Sequence, residues 1–381
     1  RSYIAKRFQS SGAGLSLDTE ALAKYKDIID LSIGDTDFTT DESIINAAFR
    51  DARAGHTHYG DPKGDPELID AVCRAWEEDF GQRLPRDHVL VSASSCLGMA
   101  LVMLAILDPG DEVIVFSPYF PMYREQIELA GGVCVDVPTY ASEDYAIDEA
   151  RLRAAITPRT KAIVFNNPTN PTGMGYDGKT LELLARVAQE HNLLIAADEI
   201  YTTYLYEGDF RPIRTLPGMA ERTITLNSFS KNFLMTGWRV GVIIAEPELL
   251  AVMNRINGSL IYSAPSVSQR AAIQALAMRK EIREKYVTAY RDRIFYAADR
   301  IEKLPYLSLV RPKGTFYLFP GVEKTGLDEK AFCKVLLDQA HVLVSPGTPF
   351  GVSAAGHFRI ACTVGIDRLK AAFDRMEKLS F

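Results

Sequence analysis

Residues 161–173 have the sequence KAIVFNNPTNPTG, in which the apolar run Lys161 to Phe165 is followed at once by the polar turn Asn166 to Gly173. A short run rich in β-branched residues is typical of a buried strand, and Asn, Pro and Gly are turn residues. The same pattern recurs along the chain between helix-patterned stretches, which predicts a mostly parallel sheet flanked by helices. The fold class that this stretch indicates is α/β.

The surrounding sequence supplies further strands and helices for one large unit. The predicted strands are His88 to Val91, Glu112 to Phe116, Val133 to Val137, Lys161 to Phe165, Leu193 to Ala197, Thr223 to Leu226 and Val240 to Ala245. Apolar residues at i, i+3 and i+4 predict helices over Leu97 to Leu107, Met122 to Ala130 and Thr180 to Glu190. These runs predict a seven-stranded sheet.

The chain changes character after a charged stretch, Lys280 to Lys303, which predicts one long amphipathic helix. Beyond it we expect a smaller α+β unit. Its predicted elements are strands at Leu307 to Val310, Gly314 to Phe319 and His341 to Leu343, and a final helix at Asp367 to Lys378. We expect the large domain to span residues 45–285, and the small domain to combine residues 1–44 with residues 286–381.

Composition excludes several classes of function. The net charge of −6, without a basic block, argues against nucleic acid as a partner. The longest apolar run, Met99 to Leu107, is too short to span a bilayer, which takes at least about 18 residues. Five scattered cysteines do not suggest a disulfide framework, and His56 and His58 form no convincing metal pair. We expect a cytoplasmic protein without a metal or a membrane partner.

Polar side chains follow four of the predicted strands, where the carboxyl ends of parallel strands form ligand sites. They are Ser94, Ser95 and Cys96, then Asn170, then Asp198 and Tyr201, then Ser228, Ser230 and Lys231, with Arg239 shortly after. Hydroxyl groups at a helix N-terminus together with an arginine suit a phosphate. The nucleotide motifs GxxxxGK[ST] and GxGxxG are absent from these positions. A phosphate, a carboxylate and a lysine together indicate pyridoxal 5'-phosphate (PLP).

Four ordered motifs resemble those of the class I and II aminotransferases of fold type I, from about Ile29 to the C-terminus. They include the segments Ser228 to Gly241, Asn167 to Gly173 and Asp198 to Tyr201. The resemblance implies that Lys231 holds PLP as a Schiff base and then moves the substrate proton. It implies that Asp198 pairs with the pyridine nitrogen, although from spacing alone Asp198 is also suited to cap a helix. Asn170 and Tyr201 would donate to the phenolic oxygen of PLP.

The resemblance assigns the remaining cofactor contacts. The phosphate would be bound by Ser228, Ser230, Arg239 and the N–H groups of Ser94, Ser95 and Cys96. Phe120 matches the aromatic residue that stacks on the cofactor ring, with Tyr119 as its rival. Tyr59 matches a tyrosine that reaches the phosphate of the neighbouring subunit, which implies a homodimer with shared active sites.

Arg359 lies where the family binds the substrate carboxylate, and the planar guanidinium suits a carboxylate bidentately. Gly34 and Asn170 would complete this substrate site. The chain departs from the family pattern that it otherwise resembles, in which proline is common at the position of Thr36 and again near Thr40, so we expect a differently shaped N-terminal flap.

The resemblance implies transfer of the amino group of an L-amino acid to a 2-oxo acid by a ping-pong mechanism. Lys231, Asp198 and Tyr201 would be the catalytic residues. A PLP-dependent C–S β-lyase would use the same residues and remains the nearest alternative. A non-catalytic regulator on this fold is a third alternative, although no basic recognition helix is visible in the sequence.

Overall fold

The structure, a computed structural model, describes residues 3–4 and 24–381. Residues 1–2 and 5–23, which the sequence assigns to the small domain, lie outside the described residues. No helix within the described part is long and apolar enough to cross a membrane.

A seven-stranded sheet forms the centre of the molecule, in the spatial order β2-β8-β7-β6-β5-β3-β4. Its strands are β2 (Val89–Ser92), β3 (Glu112–Ser117), β4 (Val133–Pro138), β5 (Thr160–Asn166), β6 (Leu194–Asp198), β7 (Thr223–Ser228) and β8 (Gly241–Ile244). Only β8 runs antiparallel, against both β2 and β7. The prediction of a mostly parallel seven-stranded sheet is confirmed, and each strand lies within two residues of its expected bounds.

Side chains on the two faces of this sheet enter two different apolar clusters. In β3, Val113 and Val115 join one cluster, whereas Ile114 and Phe116 join the other. Alternate residues of a strand point to opposite faces, so a strand covered on both sides must be apolar throughout. This double burial explains why strands such as β3 could be recognised as continuous apolar runs, whereas the edge strand β4 is partly exposed.

Helices cover both faces of the sheet. Their bounds are α1 (Glu42–Arg53), α2 (Pro66–Phe80), α3 (Ser95–Ile106), α4 (Met122–Leu129), α5 (Glu149–Ala155), α6 (Gly178–Glu190), α7 (Phe229–Asn232), α8 (Pro247–Leu260), α9 (Ser266–Ala277), α10 (Arg279–Ile282), α11 (Thr288–Ile301), α12 (Glu329–Val335) and α13 (Ile366–Met376). Helix α2 shows the local signals that set such bounds. The Asp65 side chain accepts from Glu67 N at 2.9 Å, Pro66 occupies the first turn, and Gly81 ends the helix with φ +69°.

The helix predicted over residues 280–303 is interrupted. Five residues, Arg283–Val287, form a π-helical turn between α10 and α11. A π turn adds a residue to the helical repeat, and hydrophobic periodicity does not reveal it. The prediction of a single regular helix was therefore wrong in this detail.

A second group of short strands packs beside α11 and α13. They are β1 (Ile29–Asp30), β9 (Tyr317–Leu318), β10 (Val342–Leu343), β11 (Ser345–Pro346) and β12 (Phe358–Ala361). The first pairs in parallel with β10, and β12 lies between β11 and β9 in an antiparallel sheet. Ile29 and Leu31 share an apolar cluster with residues beyond 290, which joins the N-terminal strand to the C-terminal part.

Two strand predictions in the C-terminal part need correction. Leu307 to Val310 forms only an isolated bridge, in which Ser308 pairs with Gly321. Pro320, next to that partner, has no N–H to extend the ladder. The predicted strand Gly314 to Phe319 is shortened to Tyr317–Leu318.

Candidate active site

One cavity of about 990 Å³ lies at the carboxyl ends of β2, β3, β5, β6 and β7 and is closed on the other side by β12 and the segment before α1. Every predicted site residue except Tyr59 lines it. They are Gly34, Ser94, Ser95, Cys96, Phe120, Asn170, Asp198, Tyr201, Ser228, Ser230, Lys231, Arg239 and Arg359. The grouping follows from topology, because parallel strands bring their carboxyl ends to one edge of a sheet.

Lys231 lies on α7, the single helical turn that follows β7. Its Nζ donates to the backbone oxygen of Gly34, and its own backbone oxygen accepts from Tyr204 Oη at 2.9 Å. Ser228 caps this helix, since its Oγ accepts from Ser230 N at 3.1 Å. The local cap fixes the backbone of this turn, and the distant Gly34 oxygen holds the amine inside the cavity.

Asp198 ends β6 and is only 6% exposed. Tyr123 Oη donates to its Oδ2 at 2.5 Å, and Ile200 N donates to its Oδ1 at 3.4 Å. No lysine, arginine or histidine among the described residues forms an ion pair with it. Burial raises the pKa of Asp198 to about 6, and burial likewise raises the pKa of the adjacent Glu199 to about 8. A buried carboxylate with no cation beside it is suited to bind a ligand that is positively charged or carries an N–H group.

A candidate anion-binding site lies at the N-terminus of α3. Ser94 adopts φ +101° and caps the helix through its Oγ, which accepts from Leu97 N at 3.2 Å. The N–H groups of Ser95 and Cys96 lie in the first turn, where a helix offers no acceptor of its own. Gly241 permits this approach, because a Cβ on it would come within 2.8 Å of Ser95 N.

Arg239 adds a positive charge to this candidate anion-binding site. Its backbone is left-handed, with φ +54°, and its Nη1 donates to Thr236 O at 2.8 Å. The side chain lines the same cavity as Ser95 and Ser230. A guanidinium, two hydroxyl groups and the helix N-terminus together suit a phosphate group.

Arg359 lies on β12 and is 4% exposed. Its Nη1 donates to Asn170 Oδ1 at 3.1 Å, and its Nη2 donates to Ser32 O at 2.6 Å. Its Nε is buried with no hydrogen-bond partner, and no carboxylate among residues 3–4 and 24–381 pairs with it. Burying an uncompensated guanidinium is unfavourable, so the cavity is prepared for an anionic group at this end.

Phe120 and Tyr119 are distinguished by the structure. Phe120 lines the cavity and packs edge to face on Tyr123, with ring centroids 5.7 Å apart. Tyr119 is buried in the apolar cluster beneath the sheet, and its Oη accepts from Arg124 Nε at 2.9 Å. Of the two aromatic residues, Phe120 is therefore the one placed to face a ligand.

The segment around Gly34 is anchored by Thr36 and Thr40, the two threonines that the sequence analysis singled out. Thr36 Oγ1 bonds to Tyr290 Oη, and Thr40 Oγ1 donates to Leu234 O at 2.6 Å. Trp238 Nε1 donates to Thr40 Oγ1 at 3.0 Å. These hydroxyl groups give the flap side-chain hydrogen bonds that proline cannot make.

Tyr59 lies away from the cavity of its own chain. Its side chain is 87% exposed and meets Tyr262 edge to face, with ring centroids 5.1 Å apart. Its contact with the phosphate of a neighbouring subunit stays a prediction.

The structure adds residues that sequence reasoning missed. Tyr123 donates to Asp198, and Tyr317 Oη lies 3.1 Å from Tyr201 Oη. Gln126 Nε2 donates to Cys96 O at 2.9 Å and supports the start of α3. Tyr123 lies about one helical turn after Phe120, in a predicted helix. The sequence could therefore have suggested that the Tyr123 side chain reaches the same site. No comparable local signal marks Tyr317.

The chain is similar to known proteins over nearly its whole length. The model of the family "Aminotransferase class I and II" matches residues 26–376. An aspartate/prephenate aminotransferase of Thermus thermophilus is 38% identical over 99% of this chain and 98% of its own length. An arginine–pyruvate transaminase of Pseudomonas aeruginosa is 35% identical over 98% of this chain and 96% of its own length.

The fold of this chain is also similar to those of solved aminotransferase structures. A double mutant of Thermus thermophilus aspartate aminotransferase superposes with a TM-score of 0.94, at 35% identity, over 99% of this chain and all of that chain. An aromatic aminotransferase of Pyrococcus horikoshii gives a TM-score of 0.90 at 33% identity, over 94% of this chain and 97% of that chain.

Proposed function

The chain belongs to the class I and II aminotransferases, and on this premise we propose that it moves the amino group of an L-amino acid to a 2-oxo acid in two half-reactions. The observation that carries the proposal is one cavity lined by Lys231, by the buried carboxylate of Asp198 and by the buried guanidinium of Arg359. Neither of these two charged groups has an ionic partner among the described residues.

The cavity fits PLP, the cofactor of this family. Asp198 is suited to hold a protonated ring nitrogen, because its charge is otherwise uncompensated. The N-terminus of α3, with Ser228, Ser230 and Arg239, is suited to bind the phosphate. Asn170 and Tyr201 are the proposed donors to the phenolic oxygen, and Phe120 is the proposed stacking residue.

Bound PLP supplies an electron-withdrawing ring that accepts the electron pair released when the substrate Cα–H bond breaks. Lys231 Nζ is the proposed covalent attachment point, and it then takes and returns the proton at Cα. Arg359 binds the substrate carboxylate, aided by Asn170 and the backbone at Gly34. Asp198 keeps the ring nitrogen protonated, because its buried charge is lowest in energy beside a cation.

Lys231→Ala tests the role of this amine. We expect the variant to bind PLP without a covalent link and to lose turnover. Reduction of the wild-type protein with borohydride, followed by peptide mass spectrometry, should place the cofactor on Lys231. Lys330→Ala is a matched control, since Lys330 also lines the cavity but at its outer side, on α12. Substantial transamination by Lys231→Ala would refute the assignment.

A β-lyase acting on a sulfur-containing amino acid would use the same groups. The relatives named above are aminotransferases, and none of them is called a lyase. Continuous release of pyruvate and ammonia without a 2-oxo acid acceptor would favour the lyase.

We also propose a homodimer with shared sites. Its support is the exposed pair Tyr59 and Tyr262 and the absence of Tyr59 from the cavity of its own chain. Mixing Lys231→Ala with Tyr59→Ala protomers tests the sharing. Random exchange should restore about a quarter of wild-type activity, because half of the dimers carry one intact site. No gain on mixing would show that Tyr59 does not serve the partner.

The domain division is a proposal of the same kind. Residues 45–285 would form the large domain, with residues 1–44 and 286–381 as the small one. Its support is that, among the described residues, Ile29 and Leu31 are the buried members of the C-terminal apolar cluster that precede residue 290, with Tyr206 packed against it from the large unit. Limited proteolysis should release fragments that end near α10 and α11.

A cytoplasmic location is proposed from cysteine chemistry. All five cysteines of the chain are free thiols in the structure, as is usual in a reducing compartment. Fractionation of cells that express the protein with an epitope tag would test this location.

A further inference from the structure

Tyr317 makes a contact that the proposed mechanism does not use. It lies on β9, is 2% exposed, and lines the cavity. Its hydroxyl lies 3.1 Å from that of Tyr201, the proposed donor to the phenolic oxygen of PLP. A Cβ on Gly34 would come within 1.8 Å of Tyr317 Oη, so the hydroxyl is also enclosed from the substrate side.

The ring of Tyr317 has a separate contact. The Arg359 guanidinium carbon lies 4.6 Å from its centroid, over the ring face. Removing only the hydroxyl would therefore leave the platform beneath Arg359 in place. This separation makes the contribution of the hydroxyl measurable by itself.

The number of protons decides the direction of the bond between the two phenols. Each tyrosine hydroxyl has one proton to donate and lone pairs to accept with. If Tyr201 donates its proton to the phenolic oxygen of PLP, it has none left for Tyr317. Tyr317 must then donate to Tyr201 Oη. A hydroxyl that accepts a hydrogen bond becomes a stronger donor, because bonds in a chain polarise one another.

We propose that Tyr317 is a positioning residue whose hydroxyl donates to Tyr201 and so directs and strengthens the bond from Tyr201 to the phenolic oxygen of PLP. This inference rests on the proposed function. Negative charge on that oxygen is stabilised by the donor, which lowers the pH at which the visible absorbance of the bound cofactor changes. Loss of the Tyr317 hydroxyl raises that pH.

Tyr317→Phe tests the inference in the PLP-loaded enzyme, by titration of the visible absorbance against pH. Cooperative strengthening adds about 10–30% to a hydrogen bond that is made to a charged oxygen. The expected rise in the titration midpoint is therefore about 0.1–0.7 pH units. KM for the amino acid should change little, because the ring beneath Arg359 remains.

Two controls separate this role from a general effect on packing. Tyr206→Phe removes another tyrosine hydroxyl nearby, which donates to Thr315 O at 2.7 Å, and should leave the midpoint unchanged. In a Tyr201→Phe background, Tyr317→Phe should cause no further shift, since the relay through Tyr201 is already absent. Thermal unfolding of each variant reports whether the fold is retained.

The outcomes are distinct. A wild-type midpoint in Tyr317→Phe, or an equal shift with and without Tyr201, would overturn the inference while leaving the proposed function intact. A wild-type protein that forms no PLP band through Lys231 would overturn the proposed function itself. A rise that vanishes in the Tyr201→Phe background supports the inference.

Discussion

Replacement of Arg359 by lysine should remove most of the discrimination between amino acids and amines. Lysine keeps a positive charge but cannot present two parallel N–H donors to a carboxylate. It also cannot reproduce both bonds of the guanidinium, to Asn170 Oδ1 at 3.1 Å and to Ser32 O at 2.6 Å. A charged hydrogen bond contributes about 1.5–3 kcal/mol, so losing one of the two should lower kcat/KM by about 10- to 150-fold.

The assay compares an L-amino acid with the amine that lacks only its carboxylate. Single-turnover rates are followed by the visible absorbance of the PLP-loaded enzyme, without an acceptor. Wild type should strongly prefer the amino acid, and Arg359→Lys should lose most of this preference while its rate with the amine stays nearly constant. An equal loss on both compounds would refute the reasoning, because Arg359 would then act on the fold rather than on the carboxylate.

Arg293→Lys provides a matched control. Arg293 is also a buried arginine, but both of its terminal nitrogens are satisfied by Asp37, at 2.7 and 3.0 Å. Its replacement should lower stability and leave the preference for amino acids over amines unchanged.

Three further predictions concern the surroundings of the site. Burial raises the pKa of Asp198 to about 6, so the folded cofactor-free protein loses stability as pH rises through that value. Asp198→Asn should therefore raise its free energy of unfolding by about 3 kcal/mol above pH 6 and have little effect near pH 4, as measured by thermal unfolding. Gly34→Ala should lower the free energy of unfolding by about 1–3 kcal/mol, because its Cβ would overlap Tyr317 Oη. Adding Tyr317→Phe should recover part of that loss, and denaturant titration of both variants measures the two effects. Thr40→Val should cost about 1–3 kcal/mol, because Leu234 O loses its donor inside the protein, and unchanged urea unfolding would contradict this account of the flap.

Most of the central sheet could be predicted because its strands, apart from the edge strand β4, are buried on both faces. Continuous apolar runs such as Val113 to Phe116 then stand out against their polar flanks. The short strands of the C-terminal part lack this contrast. Ser345–Pro346 and Tyr317–Leu318 are only two residues long and are fixed by pairing with β12 rather than by their own pattern.

The grouping of the site residues could also be predicted, since they follow strands that end at one edge of the sheet. What could not be predicted are contacts between distant parts of the chain. Tyr123 and Asp198 are 75 residues apart in sequence, and Tyr201 and Tyr317 are 116 apart. Such pairs depend on packing across the cleft, which no local spacing reveals.

The contacts that hold Thr36 and Thr40 likewise could not be predicted from local sequence. The family resemblance led us to expect a changed flap around Thr36 and Thr40. Their partners, Tyr290 and the backbone of Leu234, come from elements about 250 and 190 residues later. Only the folded chain identifies those partners.

The most direct test of the aminotransferase function is a half-reaction without an acceptor. L-amino acids are added singly to the PLP-loaded protein, while the visible absorbance and the 2-oxo acid are measured together. The account predicts one equivalent of 2-oxo acid per site, with a stable change in absorbance, for the preferred amino acids. Continuous formation of pyruvate and ammonia with unchanged absorbance would contradict it and identify a lyase.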